Sequence, residues 1–193
     1  MTDKLRFAII IASTRTGRFG PTVAGWVLSR AWRRADLELD LIDLAETALP
    51  DTLGDQDDPL PDPVRRLAPR LAAADAFLVV TPEYNRSFPA PLKTAIDWFY
   101  AEWHAKPVTF ISYGRESGGR HATAQLRQIF TELHAVAIRD EVALACYWEQ
   151  FAADGTWPKP TSPCNAALKT TLDQLSWWAH ALREARAKNP YLA

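Results

Sequence analysis

The chain has 193 residues, 48% of them hydrophobic, enough for one domain with a substantial buried core. Its 22 Lys and Arg against 23 Asp and Glu leave a formal charge of −1, without the basic excess of a general nucleic-acid binder. No apolar run approaches the roughly 18 residues that span a bilayer, and the opening Met1–Arg6 lacks the apolar core of a signal peptide, so a cytoplasmic protein with no membrane partner is expected.

Strand-like and helix-like segments alternate along the chain. Phe7–Ile11 is uniformly apolar, as for a strand buried on both faces. Gly20-Pro21 then opens a helical stretch with Val23, Val27 and Ala31 on one side. Leu37–Ile42 alternates like a strand nearer the sheet edge, and the Pro- and Asp-rich segment from Pro50 to Pro63 reads as a solvated loop. A helix is predicted from Val64 to Ala74, disturbed at Pro69, which lacks an N–H. Ala76–Val80 is a third strand, Pro91–Trp103 a helix, Val108–Ile111 a fourth strand, Ala122–Leu133 a helix and Val136–Ala145 a fifth strand. Tyr147–Pro163 carries Asp154-Gly155 and three prolines and reads as loop, before a long helix over Asn165–Lys188. Five strands separated by helices imply parallel pairing, right-handed crossovers and a three-layer α/β sandwich.

Other chemistry finds little support. Cys146 and Cys164 form no CxxC pair and lie near no His at metal-ligand spacing, so reduced thiols and no metal site are expected. His104, His121, His134 and His180 pair with no Ser, Cys or Asp in a triad spacing and read as surface or interface residues. Most of the eight tryptophans fall in the second half, as packing between helices or subunits; Trp177-Trp178 suits a subunit contact or the core equally.

In an open parallel sheet, ligands sit beyond the carboxyl ends of the strands, so three segments carry the functional reading. Ala12-Ser-Thr-Arg-Thr-Gly-Arg-Phe-Gly20 precedes a helix with hydroxyls, amides and two guanidiniums, a cradle for a phosphate dianion or a capped polar loop. It matches neither a P-loop nor a GxGxxG turn. Thr81-Pro-Glu-Tyr-Asn-Arg-Ser-Phe-Pro89 fixes Tyr84 among prolines, where it can lie against a planar ring. Ser112-Tyr-Gly-Arg-Glu-Ser-Gly-Gly-Arg120 has glycines where a flat ligand approaches backbone amides, or where a sharp turn needs them.

Together these segments resemble the NAD(P)H-dependent FMN reductase family of the flavodoxin-like superfamily, from the first strand to about residue 145. The most specific element is Thr81–Ser87 through Pro89, followed by Leu92-Lys-Thr-Ala-Ile-Asp-Trp98; the first loop is similar to the family's GSxRxGR loop and the third to its SYG…GG loop. The resemblance implies a flavodoxin-like sandwich with a five-stranded parallel sheet in the order 2-1-3-4-5, residues 1–193 forming a single FMN-binding domain. It implies that Ser13, Arg15 and Arg18 hold the FMN phosphate, and that Pro82, Glu83, Tyr84 and Asn85 border the isoalloxazine and ribityl chain. Ser112, Tyr113, Gly114, Gly118 and Gly119 would then contact the pyrimidine side of the ring. Two residues depart from the family pattern: Ala12 stands where Gly is usual, and Arg115 where a small residue is common, either reaching a second substrate's phosphate or filling part of the pocket.

The implied activity is hydride transfer from NADH or NADPH, through flavin N5, to a small acceptor such as a flavin, quinone or azo compound, by a homodimer or homotetramer. The cofactor carries this chemistry, so no catalytic side chain is expected. An FMN-binding electron-transfer or regulatory flavoprotein without efficient nicotinamide turnover is the alternative.

Overall fold

The computed structural model describes residues 4–192 except Gln56; Met1, Thr2, Asp3 and Ala193, which the expected domain includes, and Gln56 of the expected loop lie outside the described residues. The central sheet contains β1 (Leu5–Ile11), β2 (Leu37–Asp43), β3 (Ala76–Pro82), β4 (Pro107–Gly114), β5 (Val136–Ala137) and β6 (Val142–Ala145). Its order is β2-β1-β3-β4-β5, with β6 also on β4, and every pairing is parallel. The helices are α1 (Gly20–Ala31), α2 (Leu44–Thr47), α3 (Asp62–Ala73), α4 (Ala90–Asp97), α5 (Arg120–Glu132) and α6 (Cys164–Lys188).

Period-two alternation assigns the central side chains to two cores. Phe7, Ile9 and Ile11 of β1, Leu78 and Val80 of β3, and Ile111 and Tyr113 of β4 face α1 and α6. Ala8 and Ile10, Phe77 and Val79, and Val108 and Phe110 face α3, α4 and α5. Burying one such large apolar side chain contributes about 1.5–3 kcal/mol, so the three central strands anchor the molecule and hold their carboxyl ends at one fixed edge.

Several boundaries differ from the sequence reading, each for a local reason. The expected fifth strand is two short strands, because residues 138–141 leave the sheet. There Arg127 Nη1 donates to the Ile138 carbonyl (2.6 Å), and Thr109 Oγ1 donates to that of Asp140 (2.7 Å). The helix predicted to run to Trp103 ends at Asp97; a single 3-10 turn at Ala101–Trp103 follows, seating the Trp103 ring against Phe77 and Phe130. Helix α3 continues through Pro69, which lies on its exposed side. Strand β4 extends to Gly114, making Ser112 and Tyr113 strand residues.

Candidate functional site

The turns after β1, β3 and β4 meet at one edge of the sheet, around a cleft of about 580 Å³, within the range of small-molecule sites. Arg15–Phe19, Pro82–Tyr84, Tyr113–Arg115 and Tyr147–Trp148 line it.

The turn between β1 and α1 is built from below. Ser13 is fully buried, and the Tyr113 hydroxyl donates to its Oγ at 3.3 Å. A Cβ at Gly20 would stand 2.5 Å from Ser13 Oγ and 2.8 Å from Ile11 Cγ2, so only glycine lets α1 start this close to β1. Arg18 does not point free into the cleft. Its guanidinium forks onto Asp43 with two bonds of 2.6 Å and donates a third, of 2.7 Å, to the Ser13 carbonyl. The Asp43 carboxylate raises the Arg18 pKa against the opposing effect of burial, so this ion pair is fixed. What remains open is the tip. The amides of Arg15, Thr16 and Gly17 donate to no acceptor among the described residues, and Arg15 is exposed, with its guanidinium 5.3 Å from the Tyr84 ring centre.

The turn after β3 is a two-residue hairpin. Tyr84 and Ser87 exchange backbone hydrogen bonds of 2.8 and 2.9 Å, and Asn85 and Arg86 between them both have positive φ (49° and 64°). Asn tolerates that conformation and Arg does so at a cost, met here by α5, since Gln125 Nε2 donates to the Arg86 carbonyl and Ser87 Oγ to Gln125 Oε1. The turn presents Tyr84 to the cleft, while Asn85, at its tip, is outside the lining. Glu83 is a clasp between turns: it accepts from Ser117 Oγ (2.9 Å), from the His121 amide (3.1 Å) and from His121 Nδ1 (3.0 Å). Arg86 Nη2 lies 2.9 Å from His121 Nε2 and, as a pure donor, assigns the Nδ1–H tautomer. Burial pushes the Glu83 carboxyl up, but the bonds from His121 and Ser117 outweigh it and hold its pKa below the ordinary value. His121, read from sequence as a surface residue, is thus a support of the cleft.

The turn after β4 ties down its two glycines. Gly118 N donates to the Arg115 carbonyl (3.0 Å), Gly119 N to Ser117 Oγ (3.1 Å), and Ser112 Oγ to the Gly118 carbonyl (2.8 Å). Both glycines have positive φ, and a Cβ at Gly119 would stand 2.6 Å from Ser112 Cβ. A Cβ at Gly118 would stand 2.9 Å from the Ala145 amide. Their missing side chains make room for the sheet edge, and neither glycine nor Ser112 lines the cleft. Tyr113 and Gly114 do, with Tyr113 kept a neutral phenol by burial, which raises its pKa.

The sequence reading missed a fourth wall. Tyr147 stacks on Phe19 with ring centres 4.5 Å apart, Phe19 meets Trp157 edge-on at 4.9 Å, and Trp157 Nε1 donates to the Tyr147 carbonyl (2.8 Å). Trp148 stands beside it on the cleft. The aromatic density of residues 147–157 was the available signal.

An FMN phosphate needs converging donors, and the open amides with Arg15 supply them at the first turn. A flat ring needs planar and side-chain-free walls, which Tyr84, Pro82 and Gly114 supply. The residues present fit the group.

Comparison with known proteins agrees. The model of the NADPH-dependent FMN reductase family matches residues 5–149. An NAD(P)H-dependent FMN reductase of Schizosaccharomyces pombe is 33% identical over 132 residues, which are 64% of this chain and 64% of that protein, so the match spans just under two thirds of that relative's length. A quinone reductase of Escherichia coli K12 is 33% identical over 144 residues, 72% of this chain and 76% of that protein. In structure, the chain is similar to FerB, a flavoenzyme NAD(P)H:(acceptor) oxidoreductase from Paracoccus denitrificans, with a TM-score of 0.75 at 27% identity, covering 92% of this chain and 98% of that one. On the match over residues 5–149, the chain belongs to the NADPH-dependent FMN reductase family.

Proposed function

We propose that this chain is an FMN-dependent NAD(P)H oxidoreductase that passes reducing equivalents to a small acceptor, a quinone or a free flavin. The observation that carries the reading is the open tip of the β1 turn, where unpaired amides and Arg15 stand beside Tyr84 in a cleft of ligand size. In this reading the amides of residues 15–17 and the Arg15 guanidinium hold the phosphate. Ser13 and Arg18 shape that turn from beneath, through Tyr113 and Asp43. Pro82, Tyr84, Tyr113 and Gly114 wall the ring, while Glu83, Asn85, Ser112, Gly118 and Gly119 hold the surrounding turns.

Bound FMN would supply two-electron hydride chemistry at N5. The side chains around it position and exclude water. Glu83 is held as a carboxylate and Tyr113 as a neutral phenol, so neither delivers a proton near neutral pH. Reductant and acceptor use the same cleft in turn.

The reading extends to one FMN-binding domain over residues 1–193, a cytoplasmic setting and a homodimer or homotetramer. No helix among the described residues is long and apolar enough to cross a membrane. Trp32 and Trp177, 75% and 62% exposed, offer apolar surface for a second copy.

The test is anaerobic mixing of the FMN-loaded protein with NADPH or NADH. Bleaching of the visible flavin band by either nucleotide, and recovery on adding a quinone, is expected. A flavin band that stays intact with both nucleotides contradicts the oxidoreductase and leaves an electron-transfer or regulatory flavoprotein.

A further inference from the structure

The proposed cofactor uses one phosphate, yet a nicotinamide dinucleotide brings more: a pyrophosphate in both forms and a 2′-phosphate in NADPH. The charges lining the cleft account for the first phosphate and leave one cation over. Arg18 is neutralised by Asp43, Glu83 is held by His121 and Ser117, and Arg15 stands at the open tip of the first turn against Tyr84. Arg115 lines the same cleft, is exposed, and forms no ion pair with any described residue. No described carboxylate, Glu83, Glu116 and Glu149 included, comes within ion-pair distance of Arg115.

The backbone of Arg115 is fixed although its side chain is free. Its carbonyl accepts from the Gly118 amide at 3.0 Å and from the Cys146 amide at 3.1 Å, tying the β4 turn to the segment that carries Trp148. Trp148 is 46% exposed on the cleft wall, edge-on to Tyr147 with ring centres 5.2 Å apart, and Phe19 and Trp157 hold Tyr147 in place. An unpaired guanidinium on a fixed stretch of backbone and an exposed indole lining the same cleft suit a phosphorylated purine nucleoside, the cation taking a phosphate and the indole the base.

We infer that Arg115 and Trp148 form the subsite for the adenosine-phosphate end of the reducing dinucleotide. The inference rests on the proposed FMN reading of the cleft. A neutral quinone acceptor carries no group that needs the guanidinium, so the subsite separates reductant from acceptor.

The test uses the FMN-loaded full chain and steady-state kcat/KM for NADPH, NADH and a neutral benzoquinone, with FMN affinity measured separately. In Arg115→Gln, kcat/KM for the nucleotide is expected to fall about ten-fold or more, as for loss of a charge-assisted hydrogen bond, and to fall further than that for benzoquinone. A fall confined to NADPH locates the 2′-phosphate at Arg115, an equal fall for both nucleotides locates the pyrophosphate, and either result supports the subsite. Arg115→Lys should recover part of the loss. Trp148→Ala should raise KM for the nucleotides, with Trp148→Phe restoring it. The subsite is overturned if nucleotide kcat/KM in Arg115→Gln changes by less than about three-fold, if benzoquinone suffers equally, or if FMN affinity falls in parallel, since Arg115 would then hold the cofactor. Failure of the unaltered protein to take up FMN is a separate result that removes the reading of the cleft itself.

Discussion

The turn from β1 into α1 and the turn from β4 into α5 leave the same edge of the sheet, and each carries serine, glycine and arginine. Each leaves three consecutive amides, of residues 15–17 and 115–117, without an acceptor among the described residues, and what differs is how the side chains and glycines are tied. In the first, Arg18 and Ser13 are drawn inward, to Asp43 and Tyr113, and the amides of residues 15–17 are left without acceptors. In the second, Ser117 and the Arg115 carbonyl take the two glycine amides, and Glu83 clasps the turn from outside. Composition before a helix thus says little about anion binding until the internal partners of each N–H are known. In the first turn the open amides stand with the exposed Arg15 on the cleft; in the second the glycine amides are taken and Gly118 and Gly119 lie off the cleft, against the sheet edge.

The contrast can be broken most sharply at the glycines. Gly119→Val forces a Cβ to within 2.6 Å of Ser112 at a φ of +91°, and should lower folding stability by about 3–5 kcal/mol, measured by urea denaturation. Gly17→Ala, at φ +69° with nothing within 4 Å of the added carbon, should cost only about 1–2 kcal/mol. Equal losses would erase the distinction between a glycine in open space and one packed on the sheet edge. Next in size, Arg18→Ala strands the Asp43 carboxylate in a site where both side chains are mostly buried (16% and 12% exposed), and should destabilise the FMN-free protein by about 2–4 kcal/mol. Unchanged stability together with lost FMN affinity would return Arg18 to direct phosphate contact.

The smallest effect concerns the clasp. The folded pKa of Glu83 lies below its ordinary 4.5, so its contribution to stability is complete above that value and is lost as pH falls through the lowered folded pKa. A pH series of melting temperatures should therefore show a shallow acid decline that Glu83→Gln removes. An identical acid limb in the variant would mean that Glu83 does not hold the β4 turn.

The alternation of apolar runs with amphipathic stretches made the parallel sheet and its layers legible, the family resemblance supplied the strand order, and the Thr81–Pro89 segment pointed to the cleft. Residues whose roles depend on distant partners were not legible. Arg18 pairs with Asp43, 25 residues away, and His121 with Glu83, 38 away; no local pattern links either pair. Ser112 read as the start of a loop because it is polar, yet it is fully buried in β4, its hydroxyl satisfied by the Gly118 carbonyl. The fifth strand read as continuous because Arg127, which satisfies a carbonyl where the chain leaves the sheet, comes from α5. Tyr147 and Trp148 lie beyond the motifs legible in the sequence, and the stacking of Tyr147 on Phe19, with Trp148 edge-on to Tyr147, brings them to the site.

The open β1 turn as the phosphate holder is tested most directly by comparing FMN with riboflavin, which lacks only the phosphate, by fluorescence titration of the cofactor-free protein and of Arg15→Ala. FMN should bind at least about 100-fold more tightly than riboflavin, and Arg15→Ala should weaken FMN by about 1.5–3 kcal/mol while leaving riboflavin unchanged. Equal affinities for FMN and riboflavin in the unaltered protein would contradict the account.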